Sequence, residues 1–428
     1  MARNTDINLR SQCIYSVYVR NHSKKGNFKG VTSDLDRIKD LGADILWLLP
    51  IHPIGKKNRK GGLGCPYSIE DYRKVNPEYG TIDDFRELVE ETHKRGMRIM
   101  IDVVYNHTSH NSVLYNEYKE YFYRKPDGST GNKVGDWTDI IDLDYNNMQL
   151  WDYQIETLKY WAEIGVDGFR CDVAPLVAVE FWLKARKEVS EIKEGVIWLA
   201  ETVEPNFIKY LRDNNVIAHS DSEVFEAFDI TYDYDTFEYF KKYLDGQINL
   251  GNFLDKKRAQ EVIYPSNYIK LRFIENHDQP RAAYILPEKT DLMNWTAFMF
   301  LEKGTSLVYA GQETADTNWP SLFDIDPVQW DKDKKFAGYI KNLIEIKKNE
   351  IFVYGNYNIV EANKNGVIEI RYEYKGKKLI GIFNVERKIG EYKLDIEDCI
   401  YRNLINEKEI EVKDGKFNLP LYPVLLEV

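Results

Sequence analysis

Cysteine is scarce in this chain: Cys13, Cys65, Cys171 and Cys399 are the four among 428 residues. Their wide spacing supports neither a zinc-ligand motif nor a dense disulfide framework. Long apolar runs are missing as well. No stretch is apolar for long enough to span a bilayer, and the opening Met-Ala-Arg-Asn-Thr-Asp-Ile-Asn lacks the apolar segment of a secretory signal. The expectation is a cytoplasmic protein, or a secreted one whose leader has been removed. Positive charge is in deficit, with 58 Lys and Arg against 69 Asp and Glu and a net charge of −11. Such a surface repels nucleic acid and anionic membranes, so neither is expected as a partner. Its simplest role is solubility. No phosphate-cradling glycine loop is visible, which speaks against nucleotide-coupled chemistry. Low-complexity tracts are absent too.

What the chain does have is apolar content, 43% of its residues, arranged in alternating strand-like and helix-like segments. Ile14–Arg20 reads as a strand, Ser33–Leu41 as a helix stopped by Gly42, and Ala43–Pro50 as a second buried strand. Thr81 is placed to cap a helix over Ile82–Arg95, which Gly96 closes, and Met97–Val104 is the third strand. Helix Asn147–Ile164 and strand Val166–Val173 follow, then helix Pro175–Ile192 and strand Val196–Thr202. Phe228–Tyr234, Ile269–Ile274 and Ser306–Ala310 complete the series. This alternation predicts a parallel sheet with helices outside, and eight such strands predict closure into a TIM (β/α)8 barrel of the α/β class.

Two departures from a minimal barrel stand out. The connection over residues 108–147 is long for a loop, and reads as a short inserted domain after the third strand. After about Asn349, short alternating segments are separated by Asn365-Gly366, Lys375-Gly376 and Asp414-Gly415, which are hairpin signals. The expected organisation is therefore a barrel over residues 1–107 and 148–349, an insertion over 108–147, and a C-terminal antiparallel β-sandwich over 350–428.

The chemistry is concentrated at strand ends. Asp102 lies in Ile-Asp-Val-Val-Tyr-Asn-His, Asp172 in Gly-Phe-Arg-Cys-Asp-Val-Ala, Glu201 in Ile-Trp-Leu-Ala-Glu, and Asp278 in Phe-Ile-Glu-Asn-His-Asp. A carboxylate at the tail of a strand buried on both faces is costly without a partner. Several in succession point to one polar site at the carboxyl ends of the strands, where such barrels carry their chemistry. Asp172 and Glu201 are about one strand-helix unit apart, so they belong to neighbouring strands. Taken singly, each motif has a plain structural reading as a salt-bridged strand end, an Arg–Asp pair, a helix start or a turn.

Together with Tyr67, in Pro-Tyr-Ser-Ile-Glu-Asp-Tyr, and the Tyr-Ala-Gly-Gln-Glu run ending at Glu313, these motifs resemble the α-amylase family of retaining glycosidases over about residues 14–348. The resemblance implies Asp172 as nucleophile, Glu201 as general acid/base and Asp278 as the third carboxylate that orients sugar hydroxyls. It implies Arg170 beside the nucleophile, His107 and His277 on the reacting sugar, and Tyr67 as its stacking platform. Asp102 matches a position of mainly structural role. The family also often holds a Ca²⁺ ion between the long third loop and the barrel. Asn106 and Asp142 would then be ligands, of the oxygen type that calcium prefers. Otherwise Asn106 simply hydrogen-bonds loop backbone. No organic cofactor is implied.

Physical chemistry asks for the same residue types. Glycosidic cleavage builds positive charge on the sugar, and retention needs one ionised carboxylate below the anomeric carbon and one protonated at the leaving oxygen. Arg170, two residues before Asp172 on a strand, shares its face and would keep it ionised. Apolar surroundings and the neighbouring Asp278 would keep Glu201 protonated. His107 and His110 form a His-x-x-His pair, yet a catalytic zinc needs a third close ligand, and none is evident. Cys171 should point away from the side Asp172 faces and pack in the barrel wall. Trp137 either stacks on a distal sugar or anchors the insertion, and the anchor is favoured.

Many α-amylases carry a Lys-His pair after the nucleophile, where this chain has Pro175 and Leu176. Val173 is similar to relatives acting on α-1,6 linkages or short and cyclic oligosaccharides. The resemblance implies endo-acting hydrolysis of α-1,4-glucosidic bonds in starch-like glucans and maltooligosaccharides. The rivals are an oligosaccharide α-glucosidase, an α-1,6-cleaving enzyme or a glucanotransferase of the same family. A non-catalytic glucan-binding protein is the rival from another class, set against the presence of all three carboxylates.

Overall fold

The computed structural model describes residues 4–134, 137–360 and 366–428. Eight parallel strands form the barrel: β1 Cys13–Val17, β2 Ile45–Leu48, β3 Arg98–Val103, β4 Gly168–Cys171, β5 Ile197–Ala200, β6 Ile230–Tyr232, β7 Lys270–Arg272 and β8 Thr305–Tyr309. Hydrogen bonding runs around a closed ring in the order β1-β8-β7-β6-β5-β4-β3-β2. By contacts the chain groups into two units, Met1–Thr5 with Ile14–Tyr232 and Trp319–Val328, and Asp6–Cys13 with Asp233–Asn318 and Gln329–Val428.

In the first unit every residue of β1, β2, β4, β5 and β6 is buried, as expected for strands covered on both faces. Gly168 opens β4 because a Cβ there would stand 2.8 Å from Met100 Cε and 3.1 Å from Ile197 O on the flanking strands. Helix Ile82–Lys94 starts on a full capping box between Thr81 and Asp84. The helix over Leu35–Leu41 ends on Gly42 in the left-handed region, φ 105°. Two expected elements differ. The first strand stops at Val17 and not at Arg20, because the Tyr18 carbonyl caps a helical turn over Val19–His22. The helix expected from Pro175 is a 3-10 turn over Ala174–Leu176, a break at Val177, and an α-helix over Val179–Ile192. Trp182 Nε1 donates to Ala174 O at 3.2 Å across that break.

The connection after β3 is built on a two-stranded antiparallel ribbon, His107–Ser109 with Ile140–Asp142, enclosing a short helix at Val113–Glu117. Tyr72 OH donates to His107 O at 2.7 Å, and Thr108 Oγ1 to Ile69 O at 2.6 Å, so the ribbon is tied to the loop after β2.

In the second unit an antiparallel sheet runs Asn356–Ile359, Val367–Tyr374, Lys377–Asn384, Val424–Glu427. Two ribbons, Glu391–Lys393 with Lys416–Asn418 and Ile400–Arg402 with Glu409–Glu411, share its core, which includes Ile380, Ile382, Ile410, Phe417 and Leu426. The Lys375-Gly376 and Asp414-Gly415 turns have positive φ at both positions, 50° and 80°, then 52° and 67°. That is the geometry two-residue hairpins need. Asn365 lies outside the described residues. Among the described residues no helix is long and apolar enough to cross a membrane.

Buried His52 gives the first unit a measurable pH signature. Its Nδ1 lies 3.0 Å from Lys74 O and its ring 5.4 Å from Trp161. Burial brings its pKa down from 6.5 to about 4, against weaker opposing pulls from the Lys74 carbonyl and Asp71. The unfolded chain takes up this proton near pH 6.5, and the folded protein resists it until about pH 4. Stability from His52 is therefore full above pH 6.5 and lost as pH falls toward 4. The loss amounts to about 3 kcal/mol. His52→Asn, which keeps a donor for Lys74 O, is expected to flatten the fall in urea midpoint across that window. Parallel pH curves for the two proteins would show that His52 contributes none of it.

Candidate active site

The ladder of the first unit carries its acidic residues past the ends of the strands. Asp102 on β3 stands in register with Arg170 on β4. Beyond the strands, Asp172 N–H donates to Val103 O at 2.9 Å and Glu201 N–H to Cys171 O at 3.0 Å. Each carboxylate is thus fixed one residue past a buried strand. Arg170 is fully buried among them. Its Nη1 donates to Asp102 Oδ1 at 2.9 Å and to Asp172 Oδ1 at 2.8 Å. Its Nη2 lies 2.8 Å from Glu201 Oε1, an ion pair off the line of a good hydrogen bond. Nε donates to Tyr232 OH at 3.2 Å. The rings of Trp47, Tyr67 and Tyr232 surround the guanidinium at 5.4, 5.5 and 5.4 Å. Burial alone would weaken this cation's hold on its proton. The charges of Asp102 and Glu201 outweigh that and raise its pKa well above the ordinary value.

Glu201 departs from expectation. Its surroundings are not simply apolar, because one oxygen faces Arg170 and the other, Oε2, accepts the Val173 N–H at 2.8 Å. Val173 achieves this from the left-handed region, φ 35°, ψ 45°. For a β-branched residue that conformation stores on the order of 1–3 kcal/mol.

The remaining residues of the first unit gather on the same carboxylates. Tyr67 OH donates to Asp102 Oδ2 at 3.1 Å. His107 is buried, with Nε2 3.9 Å from Asp172 Oδ2 and Nδ1 3.2 Å from Asn106 Nδ2. Burial lowers its pKa despite the opposing charges of Asp142 and Asp139, so the ring is neutral at neutral pH. Cys171 is fully buried, and burial pushes its thiol pKa well up, which fits wall packing and not nucleophilic chemistry. Sequence reasoning missed Trp47 and Tyr232. Each is the bulky aromatic of a short buried strand, and that residue type on the inner face was the available signal.

In the second unit the chain leaves β7 into Glu275-Asn276-His277-Asp278. Glu275 is buried and accepts from Arg281 Nη1 and from Ala282 N–H, both at 2.6 Å. Burial raises its pKa, against the Arg281 charge. Arg281 also donates to Ala310 O at 2.9 Å and Asn318 O at 3.0 Å. On that brace Asn276 Oδ1 accepts Asp278 N–H at 2.9 Å, and His277 Nε2 lies 3.1 Å from Asp278 Oδ2. The Asp278 side chain is 40% exposed, against 1% for His277. Glu275 and Arg281 had no assigned role from sequence, although Glu275 stands within the quoted motif.

The residues proposed for calcium meet but are otherwise engaged. Asn106 Nδ2 lies 3.5 Å from Asp142 Oδ1, and Asp142 Oδ2 accepts the Lys133 N–H at 2.7 Å. The Lys133 ammonium donates to Leu143 O at 3.2 Å, bringing a positive charge to the same corner. Burial raises the Asp142 pKa, and Lys133 and His107 oppose this. Calcium takes six to eight oxygens. Among the described residues no group of three or more His, Cys, Asp or Glu stands together as a metal site. His110 turns to Thr138 O at 3.0 Å, so the His-x-x-His pair forms no zinc corner.

Residues 14–370 match the alpha amylase catalytic domain, and residues 358–426 the bacterial alpha amylase C-terminal domain. The fold is similar to the crystal structure of an alpha-amylase from Lactobacillus plantarum, 44% identical, covering 99% of this chain and all of that one, with a TM-score of 0.95. A maltogenic alpha-amylase from Thermotoga neapolitana is 32% identical, covering 98% of this chain and 99% of that one, with a TM-score of 0.87. An oligo-1,6-glucosidase from Bacillus cereus is 26% identical, over 94% of this chain and 95% of its own length.

Two outcomes are expected. Arg170→Gln removes the cation from three side chains that are 0%, 9% and 9% exposed. It should destabilise the fold by about 3–5 kcal/mol in chemical unfolding, the usual cost of breaking a buried pair. A change within the range of a surface substitution would show that the carboxylates do not depend on it. Dialysis against EDTA is expected to leave the melting temperature unchanged. A drop that calcium reverses would restore Asn106 and Asp142 as ligands.

Proposed function

Since the chain belongs to the alpha-amylase family of glycoside hydrolases, we propose that it hydrolyses internal α-1,4-glucosidic bonds in starch-like glucans and maltooligosaccharides with retention of configuration. The observation that carries this reading is the shared guanidinium. Asp172 and Glu201 each lie 2.8 Å from Arg170. Two carboxyls on one planar fork are close neighbours, and retention calls for a separation of about 5–5.5 Å.

In this reading Asp172 attacks the anomeric carbon while Glu201 passes a proton to the leaving oxygen. A glycosyl ester forms on Asp172. Glu201, now ionised, takes a proton from water, whose oxygen attacks the same carbon and frees Asp172. Arg170 keeps Asp172 anionic for the first step and steadies the Glu201 carboxylate after proton transfer. Asp278 supplies the third carboxylate and binds sugar hydroxyls. Neutral His107, and His277, hydrogen-bond the same sugar, and Tyr67 stacks on it. The names of the 44% and 32% identical structures, alpha-amylase and maltogenic alpha-amylase, support action on α-1,4-glucans.

A second reading is cleavage of short or α-1,6-linked oligosaccharides, or transfer between them. It is favoured by Val173, Pro175 and Leu176 after the nucleophile, and by the likeness to oligo-1,6-glucosidase. Incubation with starch, maltooligosaccharides, isomaltose and pullulan, followed by chromatography, separates the two. A ladder of short maltooligosaccharides from starch, α-configured at first release, is the expected result. Glucose alone, cleavage confined to isomaltose, or longer products would replace it with the second reading. Glu201→Gln should lower turnover by about 10²- to 10⁴-fold. Undiminished turnover would remove Glu201 from the mechanism.

A further inference from the structure

Residues 56–60 read Lys-Lys-Asn-Arg-Lys, four cations in five positions of a chain whose net charge is −11. They sit in the loop that leads from the carboxyl end of β2 to Tyr67. The backbone of this loop is fixed at several points. Ile54 and Ile69 form an antiparallel bridge at its foot, and Gly55 N–H donates to Ser68 O at 2.8 Å. The N–H groups of Lys56 and Lys57 both donate to Asn111 Oδ1, at 3.0 and 3.1 Å. Beyond the turn, Gly62 N–H donates to Asp324 Oδ1 at 3.2 Å and Leu63 N–H to Phe323 O at 2.9 Å. Gly61, at φ 67°, leaves no room for a side chain, since a Cβ there would collide with Phe323.

This frame keeps the cations together although like charges repel. Lys60 is matched, its Nζ lying 3.0 Å from Asp139 Oδ1 in the insertion. Lys56, Lys57 and Arg59 are exposed, and none of the three pairs with a carboxylate among the described residues. Two contacts tie the loop to the site. Asp139, the partner of Lys60, lies near enough for its charge to act on His107. Tyr67, at the foot of the loop, donates to Asp102 Oδ2 at 3.1 Å. The three cations therefore stand on the rim segment whose foot carries the ring assigned to the reacting sugar.

We propose that this loop binds phosphate monoesters carried on α-glucan chains, so that phosphorylated glucans are preferred substrates. The inference rests on the glucan reading of Asp172 and Glu201. A phosphate monoester is close to a dianion at neutral pH and offers three acceptor oxygens. Two ammonium groups and the planar fork of Arg59 match that set. A nucleic acid would also meet the acidic remainder of the surface. A glucan chain lying in the site brings its ester to this one loop.

The test uses the full chain and maltoheptaose bearing one 6-phosphate per chain, against the same pool stripped by phosphatase. Initial rates are compared at low salt and with substrate well below KM. A ratio of about three to ten in favour of the phosphorylated pool is expected, the size that a few exposed ion pairs supply. It should fall toward one in about 0.5 M NaCl, which screens surface charge. Lys56→Gln, Lys57→Gln and Arg59→Gln together should bring the low-salt ratio to one and leave the rate on the stripped pool unchanged. Because the readout is a ratio within one protein, a loss of folded enzyme does not move it. A ratio of one or less in the unaltered chain, with the stripped pool turned over, would overturn this inference alone. A preference that survives the triple substitution would overturn its placement on this loop. No turnover of either pool or of starch would bring down the glucan reading, and this one with it.

Discussion

Burying a guanidinium costs several kcal/mol unless charges of the opposite sign are brought to it, and Arg170 is buried completely. Asp102, Asp172 and Glu201 supply those charges, from three neighbouring strands and at 2.9, 2.8 and 2.8 Å. The dependence runs both ways. The carboxylates can be held in the mouth of the barrel because one cation stands between them. That cation has a defined position because three aromatic rings and the Tyr232 hydroxyl leave it no other. Register in the sheet sets the arrangement, since Asp102 and Arg170 are paired positions on β3 and β4.

The arithmetic of the cluster bears on chemistry. One fixed positive charge faces three acidic groups, so the pocket carries an excess of negative charge. In the proposed mechanism a sugar with oxocarbenium character would relieve part of that excess during reaction. A site whose imbalance is relieved by the cationic transition state stabilises that state over a neutral ground state. His107 beside Asp172 is neutral and can donate or accept a hydrogen bond without altering the balance. The strained Val173 fits the same scheme, because its left-handed backbone is what aims an N–H at Glu201 Oε2.

The two units solve the problem of holding acidic loops differently. In the first, the strand ends themselves are acidic and share Arg170. In the second, Asp278 stands off its strand on an Asn276 turn. That turn is braced from beneath by the buried Glu275–Arg281 pair. The insertion is secured by backbone: a ribbon pairs His107–Ser109 with Ile140–Asp142, and Lys133 brings an ammonium to the corner where a metal was expected.

Much of this was legible in the amino-acid order. A run of buried apolar residues ending in a carboxylate marks a strand end at an active face, so Asp172 and Glu201 could be placed from their own segments. Thr81, Gly42 and the Lys375-Gly376 turn announce their geometry because capping and positive φ are local requirements. Local order could not show that Arg170 serves Glu201 as well as Asp172, or that Trp47 and Tyr232 enclose it. Those partners lie far apart along the chain and meet only when the barrel closes. It also could not show Val173 in a conformation its side chain disfavours, or the helix broken at Val177, since tertiary contacts there override propensity. Periodicity records which face of each segment is buried. Which buried faces meet is decided by register and closure, and the chemistry of this site depends on that meeting.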